Sequence, residues 1–321
     1  MFDSLTKQAT ARQRQAFRAG TRANHKTHLK AYLSFCMATD QVDFPATVIV
    51  ITAYMEFLTR KLVCPDSIMN YVSSVKTFHK MLGMDIAAFE SFSFHLTQRG
   101  IRHTLDHGHL QKLPITPDML HSIVEILSTK NKVNAVLKCL FIVAFFSFLR
   151  CSNLLQSSKL HSHMQSLKRR DIIETNVGIM IVIRWTKTIQ CRERHTIIPL
   201  SAIPNSPLCP LEAYRNMLKV VPAKPDDPLF VLSFGKSKIK ALTPRHAATI
   251  LKSLISLMGK DPSMYSMHSF RRGGCTLAFN ANVETELIKL HGTWSSDAYL
   301  AYAQPSAFER FSVTKRMARL L

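Results

Sequence analysis

His268 and Arg271 stand three residues apart in the sequence His-Ser-Phe-Arg-Arg-Gly-Gly, and their side chains suit an anion. Residues at this spacing share one face of a helix, so the imidazole and the guanidinium would converge on a single point. Guanidinium groups bind phosphate oxygens in pairs. The two residues therefore predict a phosphate-binding site, although a His-x-x-Arg spacing by itself also occurs by chance.

Two tyrosines, Tyr299 and Tyr302, follow downstream and again share a helical face. A periodic apolar segment, Thr276 to Leu290, separates them from the basic pair, and His291 and Trp294 come just before them. A tyrosine hydroxyl can act as a nucleophile and form a covalent intermediate. A tyrosine close to an anion site therefore predicts attack on a phosphate without activation by a metal ion.

The order of these residues resembles the C-terminal active-site motifs of the tyrosine recombinases, the phage-integrase family. H-x-x-R is followed by G-x-W-S-S-D-A and then by a tyrosine, and W-S-S-D-A-Y-L-x-Y is most similar to recombinases of eukaryotic DIRS and Crypton mobile elements. The resemblance implies a site-specific recombinase or integrase that cleaves and rejoins double-stranded DNA through a 3′-phosphotyrosyl intermediate. It also implies that neither a metal ion nor ATP nor another cofactor is needed.

The resemblance assigns roles to the downstream residues. Tyr302 is expected to be the nucleophile, because its distance from Gly292 fits the family's spacing, whereas Tyr299 is expected to pack one turn earlier. Trp294 stands where the family has His or Trp, and His291 competes for that role.

Two further catalytic residues come from upstream. Arg150 follows the apolar segment Val133 to Leu149 and matches the family's first catalytic arginine. The family often has an acidic residue three positions later, where this chain has Asn153. Lys187, in the sequence Trp-Thr-Lys-Thr, matches the family's hairpin lysine. Without the resemblance, Arg150 could simply stabilise a helix C-terminus, and Lys187 could simply be solvated.

The resemblance implies a chemical role for each of these residues. Arg150 and Arg271 would bind the non-bridging oxygens of the scissile phosphate. His268 would donate a hydrogen bond to the same phosphate or help to deprotonate the tyrosine. Lys187 would protonate the leaving 5′ oxygen. Arg272 is expected either to contact the DNA backbone or to be structural.

The charge of the chain agrees with a nucleic-acid partner. Lys and Arg number 42 against 21 acidic residues, a net charge of +21 in 321 residues. Such an excess favours a polyanion, although a basic ribosome-associated protein would share it. Hydrophobic residues make up 46% of the chain, and its length is sufficient for two domains.

Other classes find less support in the sequence. Seven cysteines without a C-x-x-C pair indicate a reducing compartment rather than a disulfide framework. The histidine spacings are not those of a metal site. The start of the chain lacks the apolar core of a signal peptide, and the longest apolar run, Cys139 to Leu149, is too short for a bilayer. Gly235-Lys236-Ser237 fails the nucleotide-binding P-loop pattern because residue 230 is Phe.

The predicted fold is mainly α with a small β-sheet, an α+β class. Residues 1–20 are a basic extension, 21–97 a helical core-binding domain that clamps DNA, 98–116 a linker and 117–321 a mixed α/β catalytic domain. Strands are predicted over Val177–Trp185 and Arg194–Leu200. Helical periodicity is found in Leu29–Cys36, Val48–Leu58, Pro65–Phe78, Thr116–Leu127, Val133–Leu149, Pro210–Val221 and Ala247–Met258.

Partner and location follow from the resemblance. The protein is expected to act as a homo-oligomer, from dimer to tetramer, on DNA, and to be nuclear if eukaryotic or otherwise cytoplasmic. Three alternatives stay open. They are a nicking-closing enzyme like type IB topoisomerases, a DNA-binding protein derived from a recombinase that no longer cuts, and a metal-dependent transposase. The last lacks a spaced acidic triad in the sequence.

Overall fold

The structure, a computed structural model, describes residues 1–105, 111–128, 131–155, 166–184, 196–234 and 238–301, with positions 311, 314, 315, 317 and 318. The chain divides into two compact units, Met1–His109 and Leu110–Leu321. None of the helices in these residues has the length and apolar character needed to cross a membrane.

The first unit is helical in the residues described. Its helices are α1 (Phe2–Ala16), α2 (Ala19–Ala38), α3 (Val48–Thr59), α4 (Pro65–Met81) and α5 (Phe92–Thr104). Thr47 and Ser91 fix two of the helix starts, because their hydroxyls accept hydrogen bonds from the amides of Val50 and Phe94. Tyr32, Ile51 and Tyr54 are fully buried in a core formed by α2 to α5.

Side chains near both ends of the predicted linker, residues 98–116, pack in a hydrophobic core. α5 continues to Thr104 because Ile101 shares a helical face with Phe94, and both side chains are buried in the first core. At the other end, Ile115 is fully buried in the core of the second unit. The division between the units, at residues 109 and 110, falls inside the predicted linker.

The second unit combines helices with short antiparallel strands, so the predicted α+β class is confirmed. The helices are α6 (Pro117–Ile126), α7 (Lys132–Phe146), α8 (Cys151–Leu154), α9 (Pro210–Val220), α10 (Pro244–Leu257), α11 (His268–Asn280) and α12 (Thr285–His291). The strands are β1 (Ile172–Thr175), β2 (Gly178–Ile183), β3 (Thr196–Ser201), β4 (Val231–Phe234) and β5 (Lys238–Ala241). Strands β1, β2 and β3 form one antiparallel sheet in that order, and β4 and β5 form a second, two-stranded antiparallel sheet.

Helix α7 is the centre of this unit. Residues 135–137 and 139–145 are all buried, so most of the helix surface is covered, and the helix contacts α9, α11 and β4. The sequence predicted that the helix would run to Leu149 and present Arg150 at its end, which is wrong. The helix stops at Phe146, because Phe148 adopts a left-handed backbone conformation with φ of 52° and its ring packs in a separate small core.

Strands β2 and β3 lie where the sequence placed them, whereas β1 was not predicted. β2 pairs with β3 from Gly178 opposite Ser201 to Ile183 opposite Thr196. Lys187, on the connection between them, is outside the described residues. Strands β4 and β5 were missed by the sequence analysis, because four residues give too little alternation to recognise.

The periodic segment Thr276–Leu290 is not one helix. α11 ends at Asn280 and α12 begins at Thr285. Asn282, in the turn between them, has a left-handed backbone with φ of 57°, a conformation that asparagine tolerates better than most residues. Ile288 of α12 packs in the same small core as Trp294.

Candidate active site

The first turn of α11 holds the predicted anion-binding pair. Its start is fixed by two serines, since the amide of His268 donates to the Ser266 hydroxyl at 3.2 Å and the amide of Ser266 donates to the Ser269 hydroxyl at 3.0 Å. Phe270 then stacks on Phe141 of α7, with ring centroids 4.9 Å apart. The turn is therefore held both at its cap and through the central helix.

Two glycines allow α11 to lie close to its neighbours. A Cβ atom on Gly273 would collide with the carbonyl oxygen of Ile115, and one on Gly274 would collide with the carbonyl oxygen of Phe145. Any larger residue would force backbone apart from backbone. In the Arg-Arg-Gly-Gly sequence the two basic residues are thus followed directly by the two glycines that let the helix pack closely.

Arg271 is only 1% exposed. Its Nη1 donates a hydrogen bond to the carbonyl oxygen of Phe148, and its guanidinium lies 3.7 Å from the centroid of the Trp294 ring. A guanidinium over an indole face is a favourable cation–π arrangement. A phosphate can reach this guanidinium only when neighbouring groups move.

His268 lies among basic groups. Burial and the positive charges of Arg271, Arg150 and Arg272 lower the pKa of His268 to about 4. The imidazole is therefore neutral near pH 7. An anion bound beside it would favour the protonated form and raise its pKa. Arg150, at the N-cap of α8, is close enough to contribute to this effect. The structure thus brings His268, Arg271 and Arg150 into one electrostatic neighbourhood.

Trp294 and His291 occupy different places. The ring of Trp294 covers Arg271, whereas Nε2 of His291 donates to the carbonyl oxygen of Phe146 at 2.8 Å. Burial lowers the pKa of His291, and this hydrogen bond acts in the opposite direction. Gly292 gives the indole its space, because a Cβ there would collide with the ring of Trp294. Of the two competing residues, Trp294 is the one in contact with Arg271.

The segment before the predicted nucleophile is anchored on the same ring. Tyr299 is 5% exposed and packs against Trp294 with centroids 5.9 Å apart, in keeping with the expectation that it packs. Lys289 also holds the segment through a 2.7 Å ion pair with Asp297. Tyr302 itself lies outside the described residues.

The start of the connection between β2 and β3 carries an ion pair that the sequence analysis missed. Nε of Arg184 donates to Oδ1 of Asp171 at 2.8 Å, and the other carboxylate oxygen accepts the amide of Lys168. Asp171 is 4% exposed, so this carboxylate is held firmly. Arg184 precedes the predicted catalytic Lys187 by three residues.

Two expectations about the neighbouring residues can be refined. Arg272 is 6% exposed and donates from Nη2 to the side-chain oxygen of Gln111 at 3.0 Å. The structure therefore favours the structural role over contact with the DNA backbone. Asn153, where the family often has an acid, is 4% exposed, and its backbone bonds to Arg150 and Leu167.

The arrangement is suited to binding a phosphate rather than a cation. Basic groups from α8 and from α11 lie together, one histidine is kept neutral, and an indole fixes the most buried guanidinium. Cations gathered in this way can stabilise charge that develops on phosphate oxygens once a phosphate reaches them.

No protein-family model matches the chain, and no curated protein matches it. Solved structures do match. The Tn1549 transposon integrase in complex with transposon right-end DNA has a TM-score of 0.65 and 14% identity, covering 97% of each chain. The XerH site-specific recombinase in a post-cleavage complex with a palindromic difH substrate has a TM-score of 0.58 and 16% identity, over 87% of this chain and 74% of that one. A lambda integrase dimer bound to a core site has a TM-score of 0.52 and 13% identity, over 95% and 77%.

The chain shares the fold of these integrases and recombinases. At such low identity the likeness shows the fold, and the chemistry has to be argued from the residues of this chain. The likeness favours no subtype, so the similarity to DIRS and Crypton recombinases rests on the W-S-S-D-A-Y-L-x-Y sequence.

Proposed function

We propose that this protein is a site-specific DNA recombinase or integrase that cleaves and rejoins DNA through a 3′-phosphotyrosyl intermediate. The observation that carries the proposal is the gathering of Arg150, His268, Arg271 and Trp294 into one neighbourhood from three separate parts of the chain. These are residues that the sequence motifs single out, and the fold in which they gather is one that solved integrases share.

In the proposed reaction the hydroxyl of Tyr302 attacks the scissile phosphorus, and the bond to the 5′ oxygen breaks. Arg150 and Arg271 stabilise the charge that develops on the non-bridging oxygens. Neutral His268 accepts the phenolic proton or donates to the phosphate. Lys187 gives a proton to the leaving 5′ oxygen. Because the phosphotyrosine keeps the energy of the broken ester, rejoining to a 5′ hydroxyl needs no ATP.

The partner we propose is double-stranded DNA, bound by a homo-oligomer of two to four chains. The net charge of +21 supports a polyanionic partner. We also propose that the protein comes from a eukaryotic mobile element of the DIRS or Crypton type and acts in the nucleus. This part of the proposal rests on the W-S-S-D-A-Y-L-x-Y sequence that begins at Trp294.

Trapping the covalent intermediate tests this function. A randomised library of nicked duplexes lets the short fragment diffuse away after cleavage, so an active protein stays attached to its DNA and the trapped sequences can be read. The wild-type protein and Tyr299→Phe should form the adduct, and Tyr302→Phe should bind DNA without forming it. Adducts from Tyr302→Phe would overturn the assignment of the nucleophile.

The same assay separates the alternatives. Excess EDTA should leave adduct formation intact, whereas a strict need for Mg²⁺ or Mn²⁺ would favour a transposase. Relaxation of a supercoiled plasmid without exchange between two duplexes would favour a topoisomerase-like enzyme. DNA binding with no adduct from any library member would favour a protein that no longer cuts.

A further inference from the structure

The segment Gln111–Ile115, which we name the strap, runs along the first turn of α11. The amide of Leu113 donates to the carbonyl oxygen of Met264 at 2.8 Å, and that of Ile115 donates to the carbonyl oxygen of Ser269 at 3.0 Å. Nζ of Lys112 donates to the carbonyl oxygen of Ser263 at 2.6 Å. The strap is thus bonded both to the turn before α11 and to the helix itself.

The first turn of α11 has two functional faces. Ser269, Arg272 and Gly273 are spaced by three and four residues, so they share the face that meets the strap. His268 and Arg271, also three apart, share a different face, which holds the predicted anion site. Because a helical turn is stiff, whatever fixes the strap face also fixes the direction of the basic face.

Arg272 is the side chain that joins the two parts. It is 6% exposed, and Nη2 donates to Gln111, at the start of the strap, at 3.0 Å. Beside it, Gly273 lets the backbone of Ile115 approach the helix directly. A buried arginine next to the predicted catalytic Arg271 therefore binds the first described residue of the second unit.

We infer that Arg272 is a positioning residue, which acts through Gln111 to set the orientation of the α11 turn that carries His268 and Arg271. The inference rests on the proposed function, since that turn is the proposed phosphate site.

The test compares Gln111→Ala, Arg272→Lys and the double variant, with Gln41→Ala as the control. Gln41 donates from its side-chain amide to Thr39 and Asp40 in its own turn, so its loss removes a glutamine far along the sequence from the strap. Single-turnover cleavage is measured at saturating concentration of a duplex recovered from the trapping library. DNA affinity is measured over a range of salt concentrations.

The expected result is a split between rate and affinity. Each single variant should cleave roughly 2- to 30-fold more slowly, the range typical of mutations that alter coupling without touching the ligand. Affinity and its salt slope should stay as in the wild type. The double variant should be no slower than the slower single variant, because both changes remove the same hydrogen bond.

A direct contact of Arg272 with DNA gives the opposite pattern and would overturn the inference. Arg272→Lys would then change affinity, a neutral substitution there would lower the salt slope by roughly one, and Gln111→Ala would behave as Gln41→Ala does. Equal cleavage rates in all variants would overturn it as well.

A readout that needs no cleavage keeps this test separate from that of the proposed function. The pKa of His268, followed by NMR in the absence of DNA, should move in Gln111→Ala but not in Gln41→Ala, because the imidazole shifts relative to Arg271 and Arg150. If the wild-type protein never forms an adduct, the proposed function fails, and an unchanged pKa would still overturn the positioning role.

Discussion

Two buried arginines in the second unit lie in contrasting surroundings. Arg169, in the short turn before β1, is 5% exposed and donates to the carbonyl oxygen of Val221 at 3.1 Å. Burial lowers the pKa of Arg169, and Tyr214, Cys139 and Asp227 act in the opposite direction. Tyr214 and Cys139 have raised pKa values and stay neutral near pH 7, so the group that favours the cation there is the Asp227 carboxylate.

Arg271 lies instead among other cations. The charges that lower the pKa of neighbouring His268 come from Arg271, Arg150 and Arg272. Gathering like charges in a poorly solvated place costs free energy, and a folded protein keeps such a cluster when an anion is to be bound there. The difference teaches that the charge of the neighbours, more than burial itself, separates a structural arginine from a candidate catalytic one.

The largest effect should come from removing Arg271. Arg271→Ala should slow adduct formation by roughly 10²–10³-fold, the usual loss for one preorganised group that stabilises transition-state charge. Sulfur in place of the bridging 5′ oxygen should not restore the rate, because the lost charge acts on the other oxygens. Lys187→Ala is the matched control, since a thiolate leaves without a proton and should restore cleavage in that variant. Rescue of Arg271→Ala by sulfur would contradict the assigned role.

The opposite behaviour is expected of Arg169. Arg169→Met should lower the free energy of unfolding by roughly 1–3 kcal/mol, because the carbonyl of Val221 loses its donor in a buried place. Cleavage per folded molecule should stay close to wild type. Urea unfolding and adduct formation measured on the same preparation check this. A stable variant with a large loss of cleavage would remove the contrast between the two arginines.

These predictions also show how far the sequence could lead. The spacing of His268 and Arg271 places both on one helical face, which local periodicity alone predicts. The acceptor of Arg271, the carbonyl of Phe148, lies 123 positions away, and the partner of Arg272, Gln111, lies 161 positions away. Such contacts depend on how α7, α11 and the strap pack, and neither a motif nor a propensity carries that information.

Some helix ends can likewise be predicted from the sequence, and others depend on packing. Thr47 and Ser91 start helices at their own caps, so those starts can be read from the sequence. The end of α7 cannot, because the apolar run continues past Phe146 and the chain turns only where Phe148 packs in the small core with Trp294. The predicted helix to Leu149 was wrong for this reason.

A smaller effect, which can be measured directly, is expected on the pKa of His268. The pKa of His268, about 4, should rise when DNA places a phosphate beside the imidazole, and it should also rise in Arg271→Ala, where one neighbouring cation is lost. NMR titration of the ring protons checks both. His291, which bonds to the backbone of Phe146, provides the control and should change little in either case. If the pKa of His268 stayed the same both with DNA and in Arg271→Ala, the basic groups would not form one site.

The effect furthest from the reaction itself is on stability below neutral pH. Because the pKa of His268 in the folded protein lies below its ordinary value near 6.5, the unfolded chain binds this proton more readily than the folded chain. The stability that the neutral imidazole preserves is present above pH 6.5 and is lost as the pH falls toward 4. The unfolding temperature of the second unit should therefore decrease over this window, and His268→Gln should flatten part of that decrease. The pKa of His291 is lowered in the same direction, so His291→Gln should flatten a further part.

Arg271→Ala supplies the decisive comparison, since it raises the pKa of His268 without removing the imidazole. It should move the decrease in stability to a narrower range just below pH 6.5. An acid transition that is identical in the wild type and in all three variants would show that the cationic neighbourhood of α11 does not act on His268.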